Sequence, residues 1–345
     1  MENYLETVFA FPNRLDIEGA LIASRQLNDL PTNSESYIFD FSSISFFEPF
    51  GMLYFITQLR KFREQYPKSK FSAKNYDRHT YAAHMGFFRA FGLKHGNSPG
   101  EAPGSSHYVP ISNLDLSNLD NEAKSKYEDK RETLERISHK LASVLIRENS
   151  GDLNETLTFS LREIFRNVFE HANISNLWYV AQHWPQRGVV EVCILDEGVG
   201  ITKSLQKNPH LTVKSDIEAL QLSLLPGISG VAYKGGPRQT NDPWANSGYG
   251  LFMTSQLCQK GGSFILISGN GGIRLEKNVQ TNFECRFDGT AIRLQFNVEE
   301  IQSLSKSLEE LRKKGSEIAG ALRKNANITA SMSSRMLSKN INFNN

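Results

Sequence analysis

The stretch Val190-Glu191-Val192-Cys193-Ile194-Leu195-Asp196-Glu197-Gly198-Val199-Gly200 constrains this chain most. It alternates at a strand period and then runs without a break into an acidic turn with spaced glycines. A strand placed this way holds the Asp196 carboxylate at its end, where an acceptor can meet an amine in a pocket. Gly198 and Gly200 allow positive φ and close approach of backbone to a ligand. On its own, Asp-x-Gly-x-Gly is also compatible with an ordinary strand and turn.

The chain has 345 residues, enough for two globular domains that each bury a core. With 39 basic and 37 acidic side chains the formal charge is +2, which offers no electrostatic case for nucleic acid or a membrane surface as the partner. No apolar run approaches the roughly 18 residues that span a bilayer, and the opening Met-Glu-Asn-Tyr-Leu-Glu lacks the pattern of a signal peptide. The expected location is the cytoplasm. Cys193, Cys258 and Cys285 are odd in number and form no Cys-x-x-Cys pair, so neither a disulfide framework nor a zinc knuckle is expected.

Residues 1–93 alternate strand-like and helix-like patterns, which predicts an α/β domain. Strands are expected at 7–11, 37–41 and 70–73, and helices at 16–30, 50–66 and 81–91, the last ended by Gly92. Residues 94–117 form the expected linker, because 94–107 are nearly all turn formers. A second domain is expected over 118–300, with helices at 118–147 and 153–172 followed by strands. From Ile301, apolar residues at 301, 304, 308, 311, 318 and 322 predict an amphipathic helix, interrupted at Gly315, that packs on its own domain or on a twin in a homodimer. A polar, Ser- and Asn-rich tail follows from 325, with the composition of a disordered segment.

Two further features carry chemistry. Residues four apart advance about 40° around a helix, so Glu163, Asn167 and His171 fall on one polar strip beside the apolar face of Leu157, Leu161, Ile164, Phe165 and Val168. Taken alone, such a strip is usual on a solvated helix flank. Near residue 250, Asn246-Ser247-Gly248-Tyr249-Gly250-Leu251 sets two glycines before a helix, a place where exposed N–H groups suit phosphate oxygens. Neither the dinucleotide-fold spacing nor the Lys-Ser/Thr of a P-loop is present there.

The succession Glu163-x-x-x-Asn167, Asp196-x-Gly198-x-Gly200, Gly248-x-Gly250-Leu251 and the closing strand Gly289-Thr290-Ala291-Ile292-Arg293-Leu294 resembles the GHKL ATPase superfamily. That superfamily includes histidine kinase catalytic domains, anti-sigma-factor serine kinases and gyrase. The resemblance covers about residues 130–298 and implies an α/β sandwich with a mixed sheet, binding Mg²⁺-ATP between helix and lid. It implies that Asn167 ligates Mg²⁺, that Asp196 accepts a hydrogen bond from the adenine amino group and that Thr290 helps hold the base. Gly198 and Gly200 would pass the base, Gly248 and Gly250 would line the triphosphate, and residues 201–247, with Lys234 and Arg238, would form the lid. Glu163 would be the catalytic carboxylate that activates water, although members that transfer phosphate also carry an acidic residue there.

The histidine in Ile137-Ser138-His139-Lys140-Leu141 lacks the acidic residue and proline of a phosphoacceptor helix, and is expected to be an exposed helical histidine. The amino-terminal domain resembles STAS domains through the strand at 37–41, the turn at 42–48 and the helix opening at Phe50-Gly51-Met52-Leu53. Where phosphorylated STAS regulators usually carry Asp-Ser, this chain has Glu48-Pro49, so the usual phosphoacceptor is missing. The combined resemblance implies an intracellular signalling regulator that hydrolyses ATP or transfers phosphate to a serine or threonine of a partner protein. The alternative is a module that binds nucleotide without chemistry.

Overall fold

The computed structural model describes residues 6–115, 130–147, 150–171, 176–230 and 249–323. The chain divides into two compact units, Met1–Asn113 with Trp178–Ala181, and Leu114–Leu177 with Gln182–Asn345. Both mix helices with strands, so the chain is a mixed α/β protein. Among the described residues no helix is long and apolar enough to cross a membrane.

In chain order the first unit contains β1 (Glu6–Ala10), β2 (Arg14–Leu15), α1 (Ile17–Asn28), β3 (Ser36–Asp40), β4 (Phe46–Phe47), α2 (Pro49–Gln65), β5 (Lys70–Lys74), α3 (Thr80–His84) and α4 (Phe87–Ala90), with β6 (Tyr108–Asp115) at its end. Three parallel strands lie in the order β1-β3-β5, and β2 pairs in parallel with β4. The alternation in β1 and β3 turns Phe9, Tyr37 and Phe39 inward, where they are at most 3% exposed. Phe9, Phe11 and Phe41 form an aromatic core with Phe55 of α2, with ring centroids such as Phe11–Phe41 4.3 Å apart.

Two helix starts follow from local chemistry. Asp16 caps α1 by accepting the Gly19 N–H at 3.0 Å. Pro49 is the first residue of α2, where its fixed φ suits the helix and its missing N–H costs nothing. The expected helix over 81–91 is two short helices instead. They part at Gly86, whose φ of 89° lies in the left-handed region, a conformation that side-chain periodicity does not reveal. The turn-rich stretch expected as a linker folds back onto the first unit: Asn97 N–H donates to the Ala83 carbonyl, and Ala102 is buried.

The second unit contains α5 (Lys130–Ile146), α6 (Asp152–His171), β7 (Asn176–Trp184), β8 (Val189–Asp196), α7 (Gly200–Leu205), α8 (Asp216–Ser223), α9 (Gly250–Gly261), β9 (Gly262–Glu276), β10 (Val279–Asn297) and α10 (Ile301–Arg323). The expected helix over 118–147 is described only from Lys130, and its earlier part lies outside the described residues. Antiparallel β10 lies between β8 and β9, and every residue of β8 after Val189 is buried. Helices α5 and α6 pack on each other, and α9 packs on β9 and α6. Helix α10 runs unbroken through Gly315 and docks on its own unit, burying Leu304, Leu308, Leu311, Ala319 and Leu322.

Candidate functional site

Asp196 is the last residue of β8, and its strand partner on β10 is Thr290. The side chain is 4% exposed, and its Oδ1 accepts the Gly198 N–H at 2.8 Å. Burial pushes its pKa up to about 6, against hydrogen bonds from the Gly198 backbone and from the Thr290 side chain and backbone that favour the ionised form. Asp196 is therefore held by two partners in a dry setting.

Asp196 and Thr290 line a cleft with a volume of about 100 Å³ that opens to solvent. Asn167 of α6 and Gly200 line it as well, so the structure brings together four of the residues singled out in sequence. Ile164, Val168, Ile201, Ile228, Leu251 and Ile292 supply apolar walls, which suit a flat ring system, while Ser204 and Ser229 add hydroxyls. Asn167 reaches the cleft because α6 buries Leu157, Leu161 and Phe165 completely, which turns the polar strip to the edge of the core.

Gly200 also lines the cleft, with φ at 78°, and opens α7. Two residues not singled out in sequence hold that helix. Ser268 Oγ accepts the Ile201 N–H at 2.9 Å and donates to the Gly289 carbonyl at 2.6 Å. Asp216 accepts the Thr202 hydroxyl together with the Asn270 N–H at 2.8 Å. Burial would raise the Asp216 pKa, but these bonds from Thr202 and Asn270 outweigh it and hold the carboxyl below its usual range.

Glu163 sits elsewhere. It is 1% exposed, it is absent from the cleft wall, and its Oε2 accepts the Tyr249 N–H at 3.2 Å. Tyr249 immediately precedes α9 and no side chain caps that helix from within, so Glu163 supplies an acceptor for one of its orphan N–H groups. Gly250 permits this approach: a Cβ there would lie 2.8 Å from the Glu163 Cβ and 2.9 Å from the Ser160 carbonyl oxygen. Gly248, Gly235, Gly236, Lys234 and Arg238 lie outside the described residues, as does the side chain of His171. His139 is exposed on α5. Among the described residues no group of three or more His, Cys, Asp or Glu side chains could hold a metal ion.

No family model matches the chain, and no curated protein was found to match it.

Proposed function

We propose that the chain is an intracellular signalling regulator whose second unit binds Mg²⁺-ATP in the manner of GHKL modules and whose first unit is STAS-like. The observation that carries this reading is the placing of Asp196 and Thr290 side by side in one apolar-walled cleft, with Asn167 on the helix that borders it. A carboxylate has about four acceptor sites, so beside Gly198 and Thr290 Asp196 can take one more donor, and an exocyclic amino group on a flat ring is a donor of the right shape. Asp196 and Thr290 would hold the base, Gly198 and Gly200 would pass close to it, and Asn167 would ligate Mg²⁺. Bound Mg²⁺-ATP would supply an activated phosphoryl group for hydrolysis or for transfer to a serine or threonine of a partner protein.

A second reading, a nucleotide-binding module without chemistry, is favoured by Glu163, whose carboxylate is engaged with the Tyr249 N–H. Glu163→Gln and Glu163→Ala separate the two. Gln retains an acceptor for Tyr249, whereas Ala removes the acceptor of this part-buried N–H and should cost about 1 kcal/mol of stability. If Glu163 is also a general base, Glu163→Gln should lower turnover about 10²- to 10⁴-fold while ATP affinity persists. The assay is incubation with labelled ATP, alone and with lysate of the native host, scoring phosphate release against protein labelling. Wild-type turnover that survives Glu163→Gln removes Glu163 as a base, and no signal with the wild type favours the binding module.

A further inference from the structure

Among the described residues helix α10 lines none of the cleft, yet it touches two of the structures that build it. Toward its C-terminal end, Leu322 is buried in one apolar cluster with Leu205, Ala219, Leu222, Leu225 and Ile228, and Ile318 packs against that cluster. Leu205 and Ile228 are cleft residues, so the cluster is the back of the cleft's α7–α8 wall. Ala319 continues the contact, since a Cβ on Gly227 would lie 3.7 Å from the Ala319 Cβ.

One turn earlier, α10 meets the other wall. The Tyr249 hydroxyl donates to the Gly315 carbonyl at 3.4 Å, and Tyr249 packs edge-on against Phe252 of α9, with centroids 6.3 Å apart. The absence of a side chain at Gly315 makes this possible: a Cβ there would come within 2.8 Å of Phe252 and 3.1 Å of Tyr249. Tyr249 is also the residue whose N–H is held by Glu163, and Leu251, two residues on, lines the cleft. A third contact anchors the helix without reaching the cleft, Arg312 Nη2 donating to Thr156 Oγ1 of α6 at 2.7 Å.

Glycine is a poor helix former and costs stability against alanine in a helix interior. At Gly315 that cost accompanies a close approach to two aromatic rings, and the same two turns of helix reach the opposite wall through Ile318, Ala319 and Leu322. We propose that α10 is the positioning element of the cleft, holding the α7–α8 wall and the start of α9 at the separation that binds ligand. Ligand affinity is thereby coupled to the docking of a helix outside the site, and by reciprocity a ligand strengthens that docking. The coupling to a ligand rests on the nucleotide reading given above; the mechanical role of α10 does not.

The test uses the full chain carrying Gly315→Leu, which drives a side chain into the Phe252 and Tyr249 rings. Hydrogen exchange should quicken about tenfold or more across 200–205, 216–230 and 249–253, while β8 and the 290–296 part of β10 keep wild-type rates. Affinity for Mg²⁺ with a non-hydrolysable ATP analogue should fall about tenfold or more, and the analogue should slow exchange along α10 in the wild type. Exchange that is unchanged, or that quickens equally through β8 and β10, overturns the proposal, as does unchanged affinity in a loosened variant. Should Gly315→Leu fail to fold, Leu322→Ala withdraws the contact at the α7–α8 wall alone: quickened exchange across 200–205 and 216–230 with lowered affinity supports the proposal, and unchanged exchange or affinity overturns it. A wild type that binds no analogue sinks the nucleotide reading, and exchange in the variants then decides the mechanical claim by itself.

Discussion

Glu191→Ala is expected to destabilise the second unit by about 3 to 5 kcal/mol. Glu191 is fully buried in β8 and its Oε2 lies 2.8 Å from Arg293 Nε on β10. The Cys193 thiol donates to Glu191 Oε1 at 3.2 Å, and Arg293 Nη1 donates to Ser263 Oγ at 3.1 Å. Removing the carboxylate leaves a guanidinium in the core without its counter-charge, which is what makes the single change severe. Replacing both partners by methionine removes the two desolvation costs together and should be neutral or stabilising. Guanidinium unfolding of the two variants measures this. A Glu191→Ala cost under about 1 kcal/mol would show that water reaches Arg293.

Asp196→Asn is expected to move stability and ligand affinity in opposite directions. Burial raises the folded-state pKa of Asp196 from 3.8 to about 6. Below the unfolded value the group is protonated in both states and contributes nothing. Between 3.8 and about 6 the folded chain keeps a proton that the unfolded chain has lost, so stability falls as pH rises through that window and stays lower above it. Asparagine carries no charge and can still accept from Gly198, so Asp196→Asn should stabilise the protein above pH 6 by up to about 3 kcal/mol and leave it unchanged below pH 4. Thermal melts at pH 3.5 and 7.5 separate the cases. A variant less stable than the wild type at pH 7.5 would mean that the carboxylate is structural.

The site was legible in sequence where its residues are neighbours along one element. The period of Leu157, Leu161, Ile164 and Val168 places Asn167 at the border of the α6 core, and the apolar run of β8 stops at Asp196. What escaped depends on contacts between distant segments. Ser268 reaches Ile201 across 67 residues, Asp216 reaches Asn270 across 54, and Arg293 reaches Glu191 across 102. None of these leaves a periodic trace, because each depends on strand register and on how α7 lies against the sheet. Glu163 shows the same limit: its spacing to Asn167 was readable, but its bond to Tyr249, 86 residues away, was not.

The α10 helix was readable from its spacing, while its use was not. The apolar stripe at 304, 308, 311 and 322 is buried as the spacing requires. Gly315, which interrupts that stripe, is where the backbone comes close to Phe252 and Tyr249. An interruption in an apolar pattern here marks a close contact between helices.

The central claim is that Asp196 accepts a hydrogen bond from the amino group of a bound adenine. Calorimetric titration of Mg²⁺-ATP and Mg²⁺-ITP into the wild type and Asp196→Asn at pH 7.5 tests it most directly, because inosine carries an oxygen where adenine carries the amino donor. ATP should bind the wild type roughly 5- to 150-fold more tightly than ITP, the equivalent of about 1 to 3 kcal/mol for one buried polar group left unpaired, and Asp196→Asn should narrow or erase the gap. Equal affinity of the folded wild type for the two nucleotides, or an ATP affinity that Asp196→Asn leaves unchanged, would contradict the claim.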